Sequence, residues 1–273
     1  MILKTLNIRI VLGLFSFILL QSCDDLFEAH PSDGNVTGET NINLKNIKLI
    51  ESRCTDKTTI RFVMTGDTQG WYSETENFVK AINARDDIDF VIHGGDISDF
   101  GLTKEFIWQR DILNKLKIPY VVIIGNHDCL GTGKHVYNRI FGEKNFSFLA
   151  GNVKFVCLNT NALEYDYSHP IPDFNFIEDQ RISSMQNHEK TIVAMHAPPY
   201  SEIFNNNVAK GFQERIKLFP DLQFCLYAHV HHINVKDIFD DGVIYYSSAC
   251  IEKRNYLLFT ITPDSYTYEV IDF

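Results

Sequence analysis

The chain has 273 residues, of which 25 are Lys or Arg and 35 are Asp or Glu, so its formal net charge is −10 at pH 7. Surfaces that bind nucleic acid are usually basic, and this acidic balance therefore predicts no nucleic-acid-binding surface. An anionic substrate would need a local source of positive charge, such as bound metal ions, to approach this protein.

Residues 1–22 have the pattern of a signal peptide. Lys4 and Arg9 give a positive start, and the apolar run 10–20 is too short to span a bilayer. The sequence that ends at Cys23 resembles the cleavage box of bacterial lipoproteins, which implies cleavage before Cys23 and acylation of this residue. The alternative is an ordinary secretory signal in which the cysteine has no special role. Removal of residues 1–22 changes the net charge from −10 to −12, because it deletes two basic residues.

A Cys23 residue with two or more acyl chains would hold the protein stably on a membrane. We therefore expect a lipid-anchored protein of the bacterial cell envelope, on its periplasmic or cell-surface face. Residues 23–45 are polar and predict a flexible tether between the lipid and the domain. Residues 46–273 have the length of a single α/β domain, and no apolar stretch in them is long enough to span a membrane.

Besides Cys23, the sequence contains five cysteines. Cys157 and Cys225 lie in apolar, strand-like runs and are predicted to be buried free thiols. Outside the cytoplasm, a disulfide that involves Cys54, Cys129 or Cys250 is a further expectation. No pair of cysteines has the CxxC spacing of a thiolate metal site.

Short apolar runs alternate with amphipathic ones between residues 60 and 124, which is the pattern of βαβ units. The predicted elements are, in chain order, a strand at 60–64, a helix at 74–84, a strand at 90–93, a helix at 103–116 and a strand at 120–124. Because all three strands are apolar throughout, we expect parallel strands that are covered on both faces.

The pattern changes after residue 145, where two apolar runs flank Ala150-Gly151-Asn152 and predict a hairpin. The predicted elements are strands at 146–149 and 153–158, a helix at 173–186, a strand at 191–195, a helix at 206–218, and strands at 224–227, 233–239, 243–247, 255–261 and 266–271. Parallel units followed by antiparallel hairpins imply an α/β fold in which two mixed sheets pack together, with helices outside.

Polar side chains that can bind metals follow five of the predicted strands, at the point where each strand ends. These residues are Asp67, Asp96, Asn126 with His127 and Asp128, His196, and His229 with His231. Ligand sites of open α/β sheets form at the carboxyl ends of strands. Carboxylate, amide and imidazole donors together suit Mn, Fe, Zn or Mg better than a soft thiolate metal. Two such ions, about 3.5–4 Å apart, can stabilise the attacking and leaving oxygens of a displacement at phosphorus.

This order of motifs resembles the calcineurin-like metallophosphoesterase superfamily, which carries D-x-H, G-D-x-x-D, G-N-H-D/E, a lone H and G-H-x-H in that order. The corresponding segments here are residues 67–69 (DTQ), 95–99 (GDISD), 125–128 (GNHD), His196 and 228–231 (AHVH). The resemblance spans residues 66–231. It implies a four-layer α/β/β/α sandwich and a centre of two divalent metal ions, among which Mn is preferred and Fe, Zn or Mg are alternatives.

The resemblance also implies a role for each matching residue. Asp67 and His231 would hold the first metal ion, and Asp96 would bridge both ions. The ligands of the second ion would be Asn126, His196 and His229. A hydroxide that bridges the metals would be the nucleophile. His127 would act as a general acid or electrostatic stabiliser near the substrate, with Asp128 fixing its ring.

Two residues depart from the family pattern. Gln69 stands where the family has the histidine of D-x-H, and it is predicted either to ligate the first metal through its amide oxygen or to bind only a metal-bound water. A neutral oxygen donor is a harder ligand than a histidine nitrogen, which favours Mn²⁺ or Mg²⁺ over Zn²⁺ at the first site. Ala228 replaces a glycine, which is a mild change.

Other polar and aromatic residues near the motifs have weaker predictions. His93 matches no ligand position and is interpreted as a histidine of the core or one that hydrogen-bonds to the site without binding metal. Asp99 is interpreted as a residue that hydrogen-bonds to the site without binding metal. Trp71, Asn161 and Tyr200 follow strand ends and are candidates for the walls of a substrate pocket.

The leading hypothesis is hydrolysis of a phosphodiester or a pyrophosphate outside the cytoplasm, with a small-molecule phosphate ester or anhydride as substrate and a lipid anchor in the membrane. The preference for diesters rests on analogy with superfamily members that have Gln in the D-x-H motif. A phosphomonoesterase with the same site is the first alternative. The second is an inactive lipoprotein that binds metal or a phosphate ligand. Retention of Asp96, Asn126 and His127 argues against it, because a pure binder has no need for a leaving-group acid.

Overall fold

Two mixed β-sheets lie face to face in the computed structural model, which describes residues 34–162, 170–183 and 188–273. The strands are β1 Ile60–Thr65, β2 Phe90–His93, β3 Tyr120–Val122, β4 Phe146–Ala150, β5 Val153–Leu158, β6 Lys190–Met195, β7 Leu222–Tyr227, β8 Asn234–Asp237, β9 Ile244–Ser247, β10 Asn255–Ile261 and β11 Tyr266–Asp272. The helices are α1 Ile42–Cys54, α2 Tyr72–Asn83, α3 Thr103–Leu113, α4 Gly133–Ile140, α5 Phe174–Ser183 and α6 Ala209–Ile216. None of these helices has the length and apolar character of a membrane span.

The order of strands is β11-β10-β1-β2-β3 in the first sheet and β4-β5-β6-β7-β9-β8 in the second. β1, β2 and β3 are parallel to one another, as are β5, β6, β7 and β9. The remaining strands add antiparallel neighbours at the sheet edges. The carboxyl ends of the parallel strands therefore present their loops together within each sheet.

Alternate side chains of each central strand enter different apolar layers, because successive residues of a strand point to opposite faces. In β1, Phe62 joins the layer between the sheets, whereas Val63 joins the layer beneath helices α2 and α3. In β7, Phe224 lies between the sheets and Cys225 lies beneath α6. This arrangement confirms the predicted α/β/β/α sandwich of two mixed sheets flanked by helices.

Helix α1 was not predicted, because its polar residues resembled a tether. Residues 42–45 were assigned to that tether but form the first turn of α1, with Ile42 and Asn43 buried. Asn43 accepts a hydrogen bond from the Val122 amide at 2.9 Å and donates one to the Val122 carbonyl at 2.8 Å. A buried asparagine thus satisfies the free edge of β3. The compact unit begins at Gly34, earlier than the boundary expected at residue 46.

The predicted signal peptide, Cys23 and the first part of the tether lie outside the described residues. The helix expected at 206–218 is divided into a 3₁₀ turn, Asn206–Val208, and α6. The helix expected at 173–186 spans Phe174–Ser183, and residues 184–187 are not described. The chain between β3 and β4 contains α4, which was not predicted.

The five cysteines within the described residues are all free and buried. The prediction of free thiols at Cys157 and Cys225 is therefore confirmed, and the expectation of a disulfide among the others is wrong. Burial raises the pKa of the Cys54 and Cys250 thiols to about 11. A thiol with so high a pKa is a poor nucleophile and oxidises slowly.

Candidate metal centre

Tight turns follow the strands that carry the predicted ligands. The backbone is left-handed at Asp67 (φ 50°), Asp96 (φ 56°), His229 (φ 72°) and His231 (φ 60°). Residues other than glycine rarely adopt this conformation, which persists only where the surrounding structure imposes it. Four strained residues at one edge of the fold mark this edge as a candidate functional site.

Gly125 allows two of these turns to approach each other closely. A Cβ atom at this position would lie 2.1 Å from Asp96 Oδ1, so only glycine fits. Ala228, which replaces a family glycine, is buried. A Cβ atom added at Gly66 or Gly94 would lie 3.0 Å or less from the Ala228 methyl group. The lack of a side chain at these two glycines therefore leaves room for that methyl group.

The predicted ligands converge into two groups that share Asp96. The first group contains Asp67, Asp96 and His231, and the second contains Asp96, His196 and His229. Within each group the possible ligand atoms lie within 4.8 Å of one another. Asn126 joins the second group, since its Oδ1 is 2.9 Å from His196 Nε2. The structure thus brings together the residues that the family pattern assigned to two metal ions.

Four acceptor atoms face one another in the second group. His196 Nδ1 lies 2.9 Å from the carbonyl oxygen of Gly94, which places the ring proton on Nδ1. His196 Nε2 then faces Asp96 Oδ2 at 3.3 Å and Asn126 Oδ1 at 2.9 Å. His229 Nδ1 lies 3.0 Å from the same amide oxygen. A second proton on His196 is the one donor that these four atoms can share, so they fit a divalent metal ion that takes its place.

Burial and charge shift the pKa values of the central residues. Burial, with a contribution from the charge of Asp96, raises the pKa of Asp67 to about 7. Burial alone would lower the pKa of His196, but the carboxylates of Asp96 and Asp67 outweigh it and raise that pKa to about 9. Burial also opposes ionisation of Asp96, yet the charge of His196 keeps the pKa of Asp96 below its usual value. A cation that binds here must displace a proton from His196.

His127 lies beside this cluster, with 37% of its side chain exposed. Its backbone N–H donates to Asp96 Oδ1 at 2.9 Å, and its ring Nδ1 lies 2.7 Å from the carbonyl oxygen of Asp99. The backbone carbonyl of Asp99 therefore fixes the ring of His127. The family pattern implied this role for Asp128. Burial lowers the pKa of His127, but the charges of Asp96 and Asp99 and the bond to the Asp99 carbonyl outweigh it and raise the pKa above its usual value.

Asp128 has a different role, because the 3₁₀ turn His127–Cys129 directs it into the interior. Its carboxylate accepts hydrogen bonds of 2.9–3.0 Å from the backbone N–H groups of Asp96, Ile97, Ser98 and Gly125 and from Ser98 Oγ. It thereby ties the loop after β2 to the loop after β3. Burial and the charge of Asp96 raise the pKa of Asp128 to about 6.

Gln69 has an unsatisfied acceptor. Its side-chain Oε1 is buried and has no hydrogen-bond partner among the described residues. Its backbone N–H donates to the carbonyl oxygen of Asp96 at 3.1 Å, which holds the residue close to the loop of the shared carboxylate. An unpartnered acceptor here fits either a metal ion or a metal-bound water, the two roles predicted for Gln69.

The three candidates for pocket walls differ in exposure. Trp71 is 37% exposed and Tyr200 is 52% exposed, as side chains that line an open pocket require. Asn161 is buried, and its amide donates to the carbonyl oxygen of Ile124 at 2.8 Å, so it supports the chain after β3. Contact between these residues and a substrate stays a prediction.

Two further side chains lie beside the cluster or its loops. His93 is buried, with its Nε2 2.9 Å from Thr68 Oγ1, and burial lowers its pKa to about 3, as expected of a core histidine. Glu202 was not singled out from the sequence, yet its Oε1 lies 3.0 Å from His229 Nε2. Its loop has no motif or periodicity, so only the fold reveals the contact.

Comparison with known proteins agrees with this geometry. A family model described as calcineurin-like phosphoesterase matches residues 60–232. A 3′,5′-cyclic-nucleotide phosphodiesterase of Nostoc sp. is 26% identical over 169 residues, which cover 58% of this chain and 63% of the relative's length. Two solved structures share the fold at low identity. GAP50, the anchor in the inner membrane complex of Plasmodium, has a TM-score of 0.61 at 13% identity, and the match covers 79% of this chain and 85% of the GAP50 chain. A dimetal phosphatase from Danio rerio has a TM-score of 0.57 at 10% identity, and the match covers 78% of this chain and 97% of the phosphatase chain.

Proposed function

Because this chain belongs to the calcineurin-like phosphoesterase family, we propose that it uses two divalent metal ions to hydrolyse a phosphodiester or a pyrophosphate outside the cytoplasm. The observation that carries the proposal is the convergence of two potential ligand groups on Asp96. The name of the Nostoc relative, a cyclic-nucleotide phosphodiesterase, supports the choice of a diester. When bound, two such ions supply a water of lowered pKa as nucleophile and neutralise charge on the phosphoryl oxygens.

The protein's own residues orient the reaction and handle the proton. Asp128 fixes the two loops that carry Asp96 and Asn126, so the ligands are placed before substrate arrives. Asp99 holds His127 by its Nδ1, which leaves Nε2 as the nitrogen that faces a leaving group. The charges of Asp96 and Asp99 raise the pKa of His127 and so favour the protonated ring, and His127 is proposed to protonate the leaving oxygen.

The metals and the location belong to the same proposal. Gln69, with its unpartnered amide oxygen, favours Mn²⁺ in the first group, with Fe, Zn or Mg as alternatives. The sequence of residues 1–22 and the cleavage-box pattern at Cys23 support a lipid anchor in the bacterial cell envelope.

The test compares hydrolysis of an aryl phosphodiester with that of the matching monoester in Mn²⁺, using the wild type, His127→Ala and His232→Ala. His232 is an exposed histidine of the same region, and its ring Nδ1 lies 2.7 Å from the Val230 carbonyl oxygen. It serves as the matched control because it has no proposed role in the reaction. We expect preference for the diester and a loss of turnover of about 10²–10⁴-fold in His127→Ala, with metal content unchanged. Preference for the monoester would support the alternative activity. Two bound metals without turnover of either ester would support the inactive binder.

A further inference from the structure

The ring of His229 lies between two acceptors. Its Nδ1 is 3.0 Å from Asn126 Oδ1, and its Nε2 is 3.0 Å from Glu202 Oε1. The Nδ1 side faces the second group, where Asp96 and His196 lie. The Nε2 side faces outward to a carboxylate that belongs to neither group.

The contact with Glu202 determines which nitrogen of His229 is free to bind a cation. A carboxylate only accepts hydrogen bonds, so the proton of the neutral ring lies on Nε2. The lone pair of Nδ1 is then directed at Asn126 and the second group. Removal of the carboxylate would let the ring rotate or change tautomer, because no other partner defines the Nε2 side among the described hydrogen bonds.

The loop that carries Glu202 is fixed, although 75% of the Glu202 side chain is exposed. The backbone N–H of Tyr200 donates to Asn206 Oδ1 at 2.8 Å, and the Asn206 amide donates to the Ser201 carbonyl at 2.8 Å. Phe204 is buried, with its ring centroid 5.3 Å from that of Phe212 on α6. An anchored backbone lowers the entropic cost of holding an exposed carboxylate against the histidine.

We propose that Glu202 is a positioning residue, which holds His229 in the tautomer and orientation that bind a metal ion in the second group. The proposal rests on the two-metal centre proposed above. Partners that hydrogen-bond to ligating histidines typically change metal affinity by about 10–100-fold when they are removed. Glu202 therefore acts through His229 and need not touch the substrate.

The first test measures Zn²⁺ affinity of the full chain by competition with a chelating dye, in Glu202→Ala, Glu202→Gln and Glu76→Ala. Glu76 is a matched control, an exposed carboxylate on α2 whose partner is Lys115 at 3.0 Å. We expect Glu202→Ala to weaken one of the two Zn²⁺ sites by about 10–100-fold. Glu202→Gln should weaken it less, because the amide oxygen still accepts from Nε2, and Glu76→Ala should match the wild type.

The second test identifies the protonated nitrogen of His229 by long-range ¹H–¹⁵N correlation in the metal-free protein, where no bound ion dictates the tautomer. The wild type and Glu202→Gln should show the proton on Nε2, whereas Glu202→Ala should lose this single state. Wild-type Zn²⁺ affinity together with an unchanged tautomer in Glu202→Ala would overturn the proposal. Neither measurement needs a substrate, so failure of the hydrolysis assay would reject the proposed activity and leave the role of Glu202 intact.

Discussion

Replacement of Asp128 by Asn tests whether this residue ties the two ligand loops together. One carboxylate oxygen, Oδ1, accepts from the Ile97 and Ser98 amides and from Ser98 Oγ. The other, Oδ2, accepts from the Asp96 and Gly125 amides at 3.0 and 2.9 Å. An asparagine can keep the first set of bonds, but its NH₂ group would face the two donors of the second set.

The loss is therefore two hydrogen bonds to a charged acceptor in a buried site. Each such bond contributes about 1.5–3 kcal/mol, so Asp128→Asn should lower the free energy of unfolding by about 3–6 kcal/mol. Ser98→Ala is the control, because it removes only the hydroxyl bond at 3.0 Å and should cost about 1 kcal/mol. Because the pKa of Asp128 is raised to about 6, the comparison belongs at about pH 8, where the carboxylate is ionised.

Urea unfolding of the metal-free proteins, followed by circular dichroism, provides these free energies. If Asp128→Asn stayed within 1 kcal/mol of the wild type, the reasoning from the hydrogen bonds would be refuted.

Three further predictions concern protons, the sheet edge and the metal preference. The folded-state pKa values of His196 (about 9) and Asp67 (about 7) are both raised above the values of the unfolded chain. The folded, metal-free protein thus binds these protons more tightly, and its free energy of unfolding should fall as pH rises through 7 and then through 9. Thermal unfolding between about pH 6 and 9.5 should show this fall in EDTA but not in saturating Mn²⁺. If the stability measured in EDTA and in Mn²⁺ changed with pH in the same way, the prediction would be contradicted. Asn43→Leu should lower the free energy of unfolding by about 1–3 kcal/mol, because it leaves the buried N–H of Val122 without a partner, while the Val122 carbonyl still accepts from the Tyr137 hydroxyl. The exposed Lys48→Ala should cost under about 0.5 kcal/mol in the same urea titration. Gln69→His restores a nitrogen donor and should increase the affinity of the first group for Zn²⁺ relative to Mn²⁺ in a competition titration, and an unchanged ratio would show that Gln69 does not bind metal.

The sheets and the gathering of the ligands were predictable from local signals. Uninterrupted apolar runs such as 90–93 identify buried parallel strands, whose carboxyl ends meet at one edge of a sheet. Asp67, Asp96 and His196 each follow such a strand, so their proximity follows from topology. The positive φ of Asp67 and Asp96 was not foreseen, because it arises from the packing of the loops against each other.

The features that were missed depend on contacts between distant parts of the chain. Asn43 looks like part of a polar tether until it is seen to pair with the edge of β3, 79 residues away. Asp128 adjoins His127 in the sequence, but a 3₁₀ turn directs its carboxylate to the loop after β2. Glu202 lies on a loop without periodicity, and only the fold brings it to His229.

The role of Asp96 as a ligand shared by two metal ions is the central claim, and anomalous diffraction tests it most directly. Crystals grown in Mn²⁺ would be measured on either side of the manganese absorption edge. The account predicts two anomalous peaks about 3.5–4 Å apart, one on each side of the Asp96 carboxylate. A single peak, or two peaks remote from Asp96, would contradict it.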